Sequence, residues 1–193
     1  MPAARPMLLA LSLTTALCAP TAFAAEPVYR EALARQAQAI LERAYDADGP
    51  GAAVLVARGD EILFQGARGL ADIASGTRLE VDDTFRLASI TKQFTAAGLL
   101  TLVDDGKVGL DDPLSKYLPD FPNADAITIR QLLNHTSGIR SYTDIPNYFA
   151  GPIRDDKDTA GMIAVFRDLP VNFAPGEGWH YNNSGYVLVG AVI

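Results

Sequence analysis

Residues 86–100 read RLASITKQFTAAGLL, and the fold turns on what this stretch becomes. From Ile90 to Val103 the apolar residues recur at helical spacing. Asp104-Asp105-Gly106 ends the run, with Gly106 as the C-cap. Ser89 stands at the start of this helix and Lys92 three residues further on. Side chains three apart on a helix are neighbours, with Cβ atoms about 5–6 Å apart. A helix N-terminus offers free backbone N–H groups and partial positive charge. Both assist a serine nucleophile, because an oxyanion beside it meets a donor. The same positive end, with burial, disfavours an ammonium and moves a lysine toward its neutral, basic form. Yet serine is also a common helix starter and lysine a common surface residue. Ile90, Phe94, Ala96 and Ala97 flank the pair and predict a core-packed helix. The spacing alone leaves both readings open.

The 193 residues suffice for one ordinary domain, and 49% apolar with 20% charged residues is a globular composition. A net charge of −7 argues against a phosphate-binding surface, so no nucleic-acid partner is expected. Residues 1–24 have the layout of an export signal: Arg5, then the apolar MLLALSLTTALC of Met7–Cys18, then AFA at Ala22–Ala24. The apolar core is too short to span a bilayer, which takes about 20 residues. Leu17 before Cys18 is too bulky for a lipoprotein site, so no lipid anchor is expected. Removal through Ala24 leaves 15 basic against 23 acidic side chains, net −8, and no cysteine. The exported protein, periplasmic or extracellular, then has neither a disulfide nor a thiolate nucleophile.

Along the rest of the chain, Val28–Gly49 predicts an amphipathic helix stopped by Gly49-Pro50-Gly51. Two strands follow, about 52–57 and 61–69, around an Arg58-Gly59-Asp60 turn. LDDPLSKYLPDFP from Leu110 reads as a short helix and turns, ITIRQLLNHTSGI as a helix begun by Thr128 and ended near Gly138. A further helix is expected over about 156–169. Two strands make a marginal sheet, and Tyr186–Ile193 is an apolar run without a polar tail. The expectation is a chain cut short.

PGEGWHYNNSGY places Tyr181 and Asn183 two residues apart after a Pro175-Gly176 turn. In an extended segment such side chains point the same way. Tyr181 then suits a proton shuttle if cations lower its pKa, and Asn183 suits holding a substrate carbonyl. The competing reading is a polar loop in which Asn183 or Ser184 caps the next helix. His135 and His180, the only histidines, have no short-spaced partner, so no zinc site is expected. A Ser-His-Asp arrangement lacks its G-x-S-x-G elbow, and NHTSG reads as a tight post-helical loop. Asp82-Asp83 and Asp111-Asp112 suit turn or helix starts better than a glycosidase pair.

Taken in order, SITK from Ser89, GKVGLDDPLSKYLP from Gly106, ITIRQLLNHTSGI from Ile127 and PGEGWHYNNSGYVLVG from Pro175 resemble the serine beta-lactamase-related hydrolases. That family includes class C beta-lactamases, D-Ala-D-Ala carboxypeptidases, D-aminopeptidases and related esterases. The resemblance runs from about Gly51 onward. It implies an α/β fold of α+β type, beta-lactamase/transpeptidase-like, with an antiparallel sheet flanked by helices, a helical subdomain, and the C-terminal strands of the sheet absent here. Residues 25–193 are then the N-terminal portion of the hydrolase domain. By the resemblance Ser89 is the acylated nucleophile, Lys92 its activating lysine, Tyr181 the tyrosine of a Tyr-x-Asn element and Asn183 its substrate-binding asparagine. The implied reaction opens a beta-lactam, D-amino peptide or short ester through an acyl-serine, with no metal or organic cofactor. How Lys92 and Tyr181 divide the proton transfers stays open. The family's third element, a Lys-Thr-Gly or His-x-Gly strand that gives a second oxyanion donor, has no match in these residues. Loss of one such donor costs about 10²–10³ in rate, so weak or absent activity is expected of this piece. The alternative is a penicillin- or peptidoglycan-binding sensor without efficient turnover.

Overall fold

Helices and strands follow the hydrophobic patterning in the computed structural model, which describes residues 27–193. The expected export signal, with its boundary at Ala24, lies outside the described residues. The chain divides into two units, one ending at Phe85 and one running from Arg86 to Ile193. No helix among the described residues is long and apolar enough to cross a membrane.

In the first unit, helix α1 (Pro27–Ala44) precedes an antiparallel hairpin of β1 (Ala52–Arg58) and β2 (Glu61–Arg68). A short second pair, β3 (Leu70–Asp72) and β4 (Thr77–Arg78), follows. The Arg58-Gly59-Asp60 turn forms where its residues predict. The hairpin register runs from Ala52 opposite Arg68 to Arg58 opposite Glu61, with an irregularity after Val56. α1 lies along β2, where Arg30 donates to the Ile62 carbonyl at 2.7 Å and Leu41 is buried. Gly51 and Gly69 let two backbone segments meet. A Cβ on Gly51 would sit 2.7 Å from the Arg68 carbonyl oxygen, and one on Gly69 2.5 Å from Gly51 Cα. That closeness brings the Gly51 N–H to the Leu70 carbonyl at 3.0 Å and the Leu70 N–H to the Gly49 carbonyl at 2.8 Å.

The second unit is helical. A 3₁₀ turn at Ala88–Ile90 leads into α2 (Thr91–Asp104), followed by α3 (Ile129–Leu133), α4 (Thr159–Ala164) and α5 (Asn183–Val192). α5 packs against α2, α3 and α4. A helix with neighbours on several sides is apolar round most of its circumference, which accounts for the apolar run after Tyr186. Its Leu188 and Val189 join Leu99, Ile127, Leu132 and Phe166 in one buried cluster.

Local signals decide the helix ends. Thr128 Oγ1 accepts from the Gln131 N–H at 3.2 Å while Gln131 Oε1 accepts from the Thr128 N–H at 3.0 Å, a reciprocal capping box. The helix expected over 156–169 is shorter than that. Asp158 caps α4 by accepting from the Gly161 N–H at 2.7 Å, and beyond Ala164 most of the bonds tighten to i→i+3. Pro170 disfavours helical backbone at Leu169. The core-packed face expected for the opening stretch is also corrected, because Ile90 and Phe94 are 54% and 62% exposed. Leu99 is the buried residue of α2, and at 3.6 residues per turn Phe94 lies about 140° round the helix from it.

The acidic pairs take local roles. Asp111 accepts from Arg130 at 2.8 and 2.9 Å. Asp112 accepts from Lys116, from the Tyr117 hydroxyl and from the Gly109 N–H, and these bonds lower its pKa to about 2. Asp83 accepts from the Glu80 N–H at 2.9 Å.

Candidate active site

Ala88, directly before Ser89, has φ 46°. Left-handed backbone costs a residue with a Cβ about 1–2 kcal/mol, so strain is concentrated at the turn that presents the serine. The 3₁₀ turn closes through the Ile90 N–H on the Leu87 carbonyl at 3.1 Å and leaves Ser89 exposed. One turn on, half-buried Lys92 reaches back across the i, i+3 spacing. Its Nζ donates to Ser89 Oγ at 3.4 Å and to Asn183 Oδ1 at 2.6 Å. The shorter bond is therefore to the asparagine, ninety-one positions away in sequence.

Tyr181 completes the cluster. Its hydroxyl donates to Ser89 Oγ at 2.8 Å, and Lys92 Nζ sits 4.8 Å from the centre of its ring. The four residues singled out from the sequence come together: Ser89, Lys92 and Asn183 line one open cleft of about 540 Å³, and Tyr181 joins them through its bond to Ser89. Thr143, Phe149, Ile153 and Val187 line the same cleft. An apolar hollow of about 410 Å³ between Tyr117–Phe121 and α4 contains none of these four.

The phenols around the cleft are unequal. Burial works to raise the pKa of Tyr181, but its polar contacts to Lys92 and Ser89 and the charge of Lys92 outweigh it and hold the phenol below its ordinary value. Burial raises Tyr142 and Tyr186, and each is raised further by neighbouring phenols. Tyr181 is thus the phenol most readily ionised of the three, and it is the one touching Ser89.

The backbone around Tyr181 and Asn183 is held by groups the motifs did not flag. Asn182, rather than Asn183 or Ser184, caps α5: its Oδ1 accepts from the Gly185 N–H at 2.7 Å and its Nδ2 donates to the Ile139 carbonyl. Asn183 is thereby released to face Lys92. Its amide orientation is set from the far side by Thr143 Oγ1, which accepts from Asn183 Nδ2 at 3.0 Å. Ser141 Oγ accepts from the Asn183 N–H at 3.1 Å and lies 2.9 Å from Thr143 Oγ1, while Ser184 Oγ accepts from the Tyr142 N–H at 2.8 Å. Ser141 and Ser184 are fully buried. The only sequence signal for these partners is the Ser-x-Thr alternation at 141–143, which repeats the spacing of Tyr181 and Asn183.

The loop after α3 is as tight as NHTSG predicts. Gly138 adopts φ 73°, and a Cβ there would lie 1.9 Å from the Phe173 carbonyl oxygen. His180 pairs with Asp144 at 2.9 Å, whereas the His135 ring lies 4.7 Å from that of Tyr181. Among the described residues no cluster of three His, Cys, Asp or Glu side chains is arranged to hold a metal ion.

Comparison with known proteins places the chain in company. A family model described as Beta-lactamase matches residues 32–193. Penicillin-binding protein 4* of Bacillus subtilis is 38% identical over 142 residues, covering 72% of this chain and 31% of that protein. Esterase EstB of Burkholderia gladioli is 35% identical over 199 aligned positions, covering 94% of this chain and 49% of the esterase. Among solved structures, a D-stereospecific amidohydrolase from Streptomyces sp. superposes with a TM-score of 0.69 at 36% identity, over 82% of this chain and 48% of the other. D-amino acid amidase from Ochrobactrum anthropi, complexed with D-phenylalanine, gives 0.70 at 34% identity, over 82% and 44%. The chain spans about a third to a half of the length of the curated relatives it matches.

Proposed function

The chain belongs to the beta-lactamase family and shares its fold, and from that premise we propose that it is a serine hydrolase opening an amide or ester bond through an acyl-Ser89 intermediate. The observation that carries the reading is the Tyr181 hydroxyl 2.8 Å from Ser89 Oγ, with Lys92 bridging Ser89 and Asn183. Tyr181 acts as the phenolate, its own proton first released to solvent: it takes the Ser89 proton as Oγ attacks the carbonyl carbon, then gives that proton to the departing amine or alkoxide. Two features support that division of labour over lysine as the direct base. The phenol is the closer group, and its acidity is raised by the lysine beside it. Lys92 supplies positive charge and holds Asn183, whose proposed role is to bind the substrate carbonyl. The Ser89 backbone N–H, at the start of the 3₁₀ turn where such groups lack helical partners, receives the oxyanion. Water then enters by the same route and releases the acyl group.

Beta-lactams, D-amino peptides or amides and short esters all suit this chemistry, in line with the names of the relatives. Turnover by this chain is proposed to be weak, since one backbone oxyanion donor is assigned among the described residues and a site with one donor in place of two is slower by about 10²–10³ in rate. Export to the periplasm or the exterior is proposed from the layout of residues 1–24.

Labelling tests the reading. The purified chain is treated with a fluorescent penicillin and with a fluorophosphonate, and a chromogenic ester measures turnover. Label on Ser89, absent in Ser89→Ala, is expected. Stable penicillin label without ester turnover would favour the sensor-type module. Failure of both reagents to modify Ser89 would sink the acyl-enzyme reading.

A further inference from the structure

His135 leaves α3 with φ 67°, a conformation uncommon for a residue with a side chain. The turn brings both its backbone and its ring against the segment that carries Tyr181. The His135 carbonyl accepts from the His180 N–H at 3.1 Å, and His135 Nδ1 accepts from the Asn182 N–H at 3.1 Å. Tyr181 lies between those two bonds. Its ring centre is 4.7 Å from the imidazole, and the rings of Tyr186 and Trp179 close round it at 5.4 and 6.1 Å.

We propose that His135 is the positioning residue for Tyr181: neutral, with its proton on Nε2, it clamps residues 180–182, and protonation at Nδ1 releases the clamp. An imidazole nitrogen that accepts a hydrogen bond carries no proton, and imidazolium has no acceptor left. Protonation therefore turns the Asn182 contact into donor against donor, next to the phenol that acts on Ser89. The inference rests on the proposed role of Tyr181.

The surroundings favour the neutral ring. Burial first, then the charge of Lys92, holds the His135 pKa below the ordinary imidazole value. The titratable groups facing it are Lys92 from α2, Tyr181 from the clamped segment and Tyr186 from α5, and none is a carboxylate. The neighbouring His180 is paired instead with Asp144. An acid limb on Ser89 acylation is thus expected below about pH 6.5, the unperturbed histidine value.

The chain has two histidines, so ¹⁵N imidazole NMR with His180→Asn as the assignment control reads His135 directly. The expected spectrum near neutral pH shows Nδ1 unprotonated and Nε2 protonated, with titration below the ordinary histidine range. Fluorophosphonate modification of Ser89 is followed in parallel from about pH 4.5 to 8, spanning the imidazole range. Its acid limb should share the midpoint of the His135 titration and persist in His180→Asn. In His135→Asn, a residue that tolerates left-handed backbone, the limb should vanish and modification should slow about 10–100-fold at all pH. A protonated Nδ1, or a limb that survives in His135→Asn, overturns the proposal. If Ser89 is unreactive at every pH, the acyl-enzyme reading fails separately. The ¹³Cζ signal of Tyr181 then decides: movement with the His135 titration supports the clamp, and a constant signal overturns it. That signal also decides the matter should His135→Asn fail to fold.

Discussion

Two adjacent asparagines carry opposite duties, and exchanging each for alanine should separate them. Asn182 is 2% exposed; it caps α5 through the Gly185 N–H and donates to the Ile139 carbonyl. Asn182→Ala removes the cap, worth about 1 kcal/mol, and leaves a buried carbonyl unpaired, at about 1–3 kcal/mol. The sum is about 2–4 kcal/mol, or about 5–15 °C in Tm for a chain of this size. The backbone bond from the Asn182 N–H to His135 Nδ1 is retained. Asn183 is only half-buried, and its side-chain partners Lys92 and Thr143 also keep contact with water. Asn183→Ala should therefore cost less than about 1 kcal/mol. It should slow Ser89 acylation about 10²-fold, because Lys92 loses its 2.6 Å anchor. Urea unfolding followed by the single tryptophan, Trp179, reports on the right unit, and fluorophosphonate modification reports on the site. Equal stability losses in the two variants, or a loss below about 1 kcal/mol in Asn182→Ala, would refute the cap assignment.

Tyr181→Phe should leave the melting temperature nearly unchanged and lower Ser89 acylation about 10²–10⁴-fold, the usual worth of a positioned acid–base group. In an alkaline ultraviolet titration one tyrosine should ionise below the ordinary value; with Lys92→Met that phenol should move up, since burial then opposes ionisation with less to offset it. Asp112 holds a carboxylate at about 2, so its contribution to stability is complete above the unfolded value near 4 and disappears as pH falls toward 2. Asp112→Asn should flatten the acid branch of the stability curve over that interval, as followed by thermal melts. Gly138→Ala places a Cβ 1.9 Å from the Phe173 carbonyl oxygen at φ 73°; thermal melts should show a loss exceeding the about 1–2 kcal/mol of left-handed backbone alone.

Much of the local structure was legible because its causes are local. Gly59 and Gly106 mark their turns, and Thr128 marks a helix start whose capping box closes three residues on at Gln131. Where neighbouring signals compete, legibility fell. Asp158 and Pro170 shorten α4 to Thr159–Ala164 within a longer helical pattern. Phe94, expected in the core, lies exposed because the buried side of α2 centres on Leu99. Three consecutive polar residues, Asn182, Asn183 and Ser184, are all plausible caps by composition. Only the packing of α5 makes Asn182 the cap and turns Asn183 toward Lys92.

By itself the sequence determined short-range relations along the chain: an i, i+3 serine and lysine at a helix start, and a Tyr-x-Asn pair expected on an extended segment but whose Asn183 opens α5. Those relations span a few residues, and helix or strand geometry fixes them. The tertiary structure decided which groups bond across the cleft. Lys92 meets Asn183 more closely than Ser89, Tyr181 meets Ser89 from ninety-two residues away, and Thr143 sets the amide of Asn183. Serine, threonine and histidine occur in loops throughout proteins, so neither the Ser-x-Thr alternation at 141–143 nor the NHTSG loop discloses in advance which group Ser141, Thr143 or His135 bonds. Their roles arise when α5 is buried among α2, α3 and α4, since burial obliges each polar group along its N-terminus to find a partner.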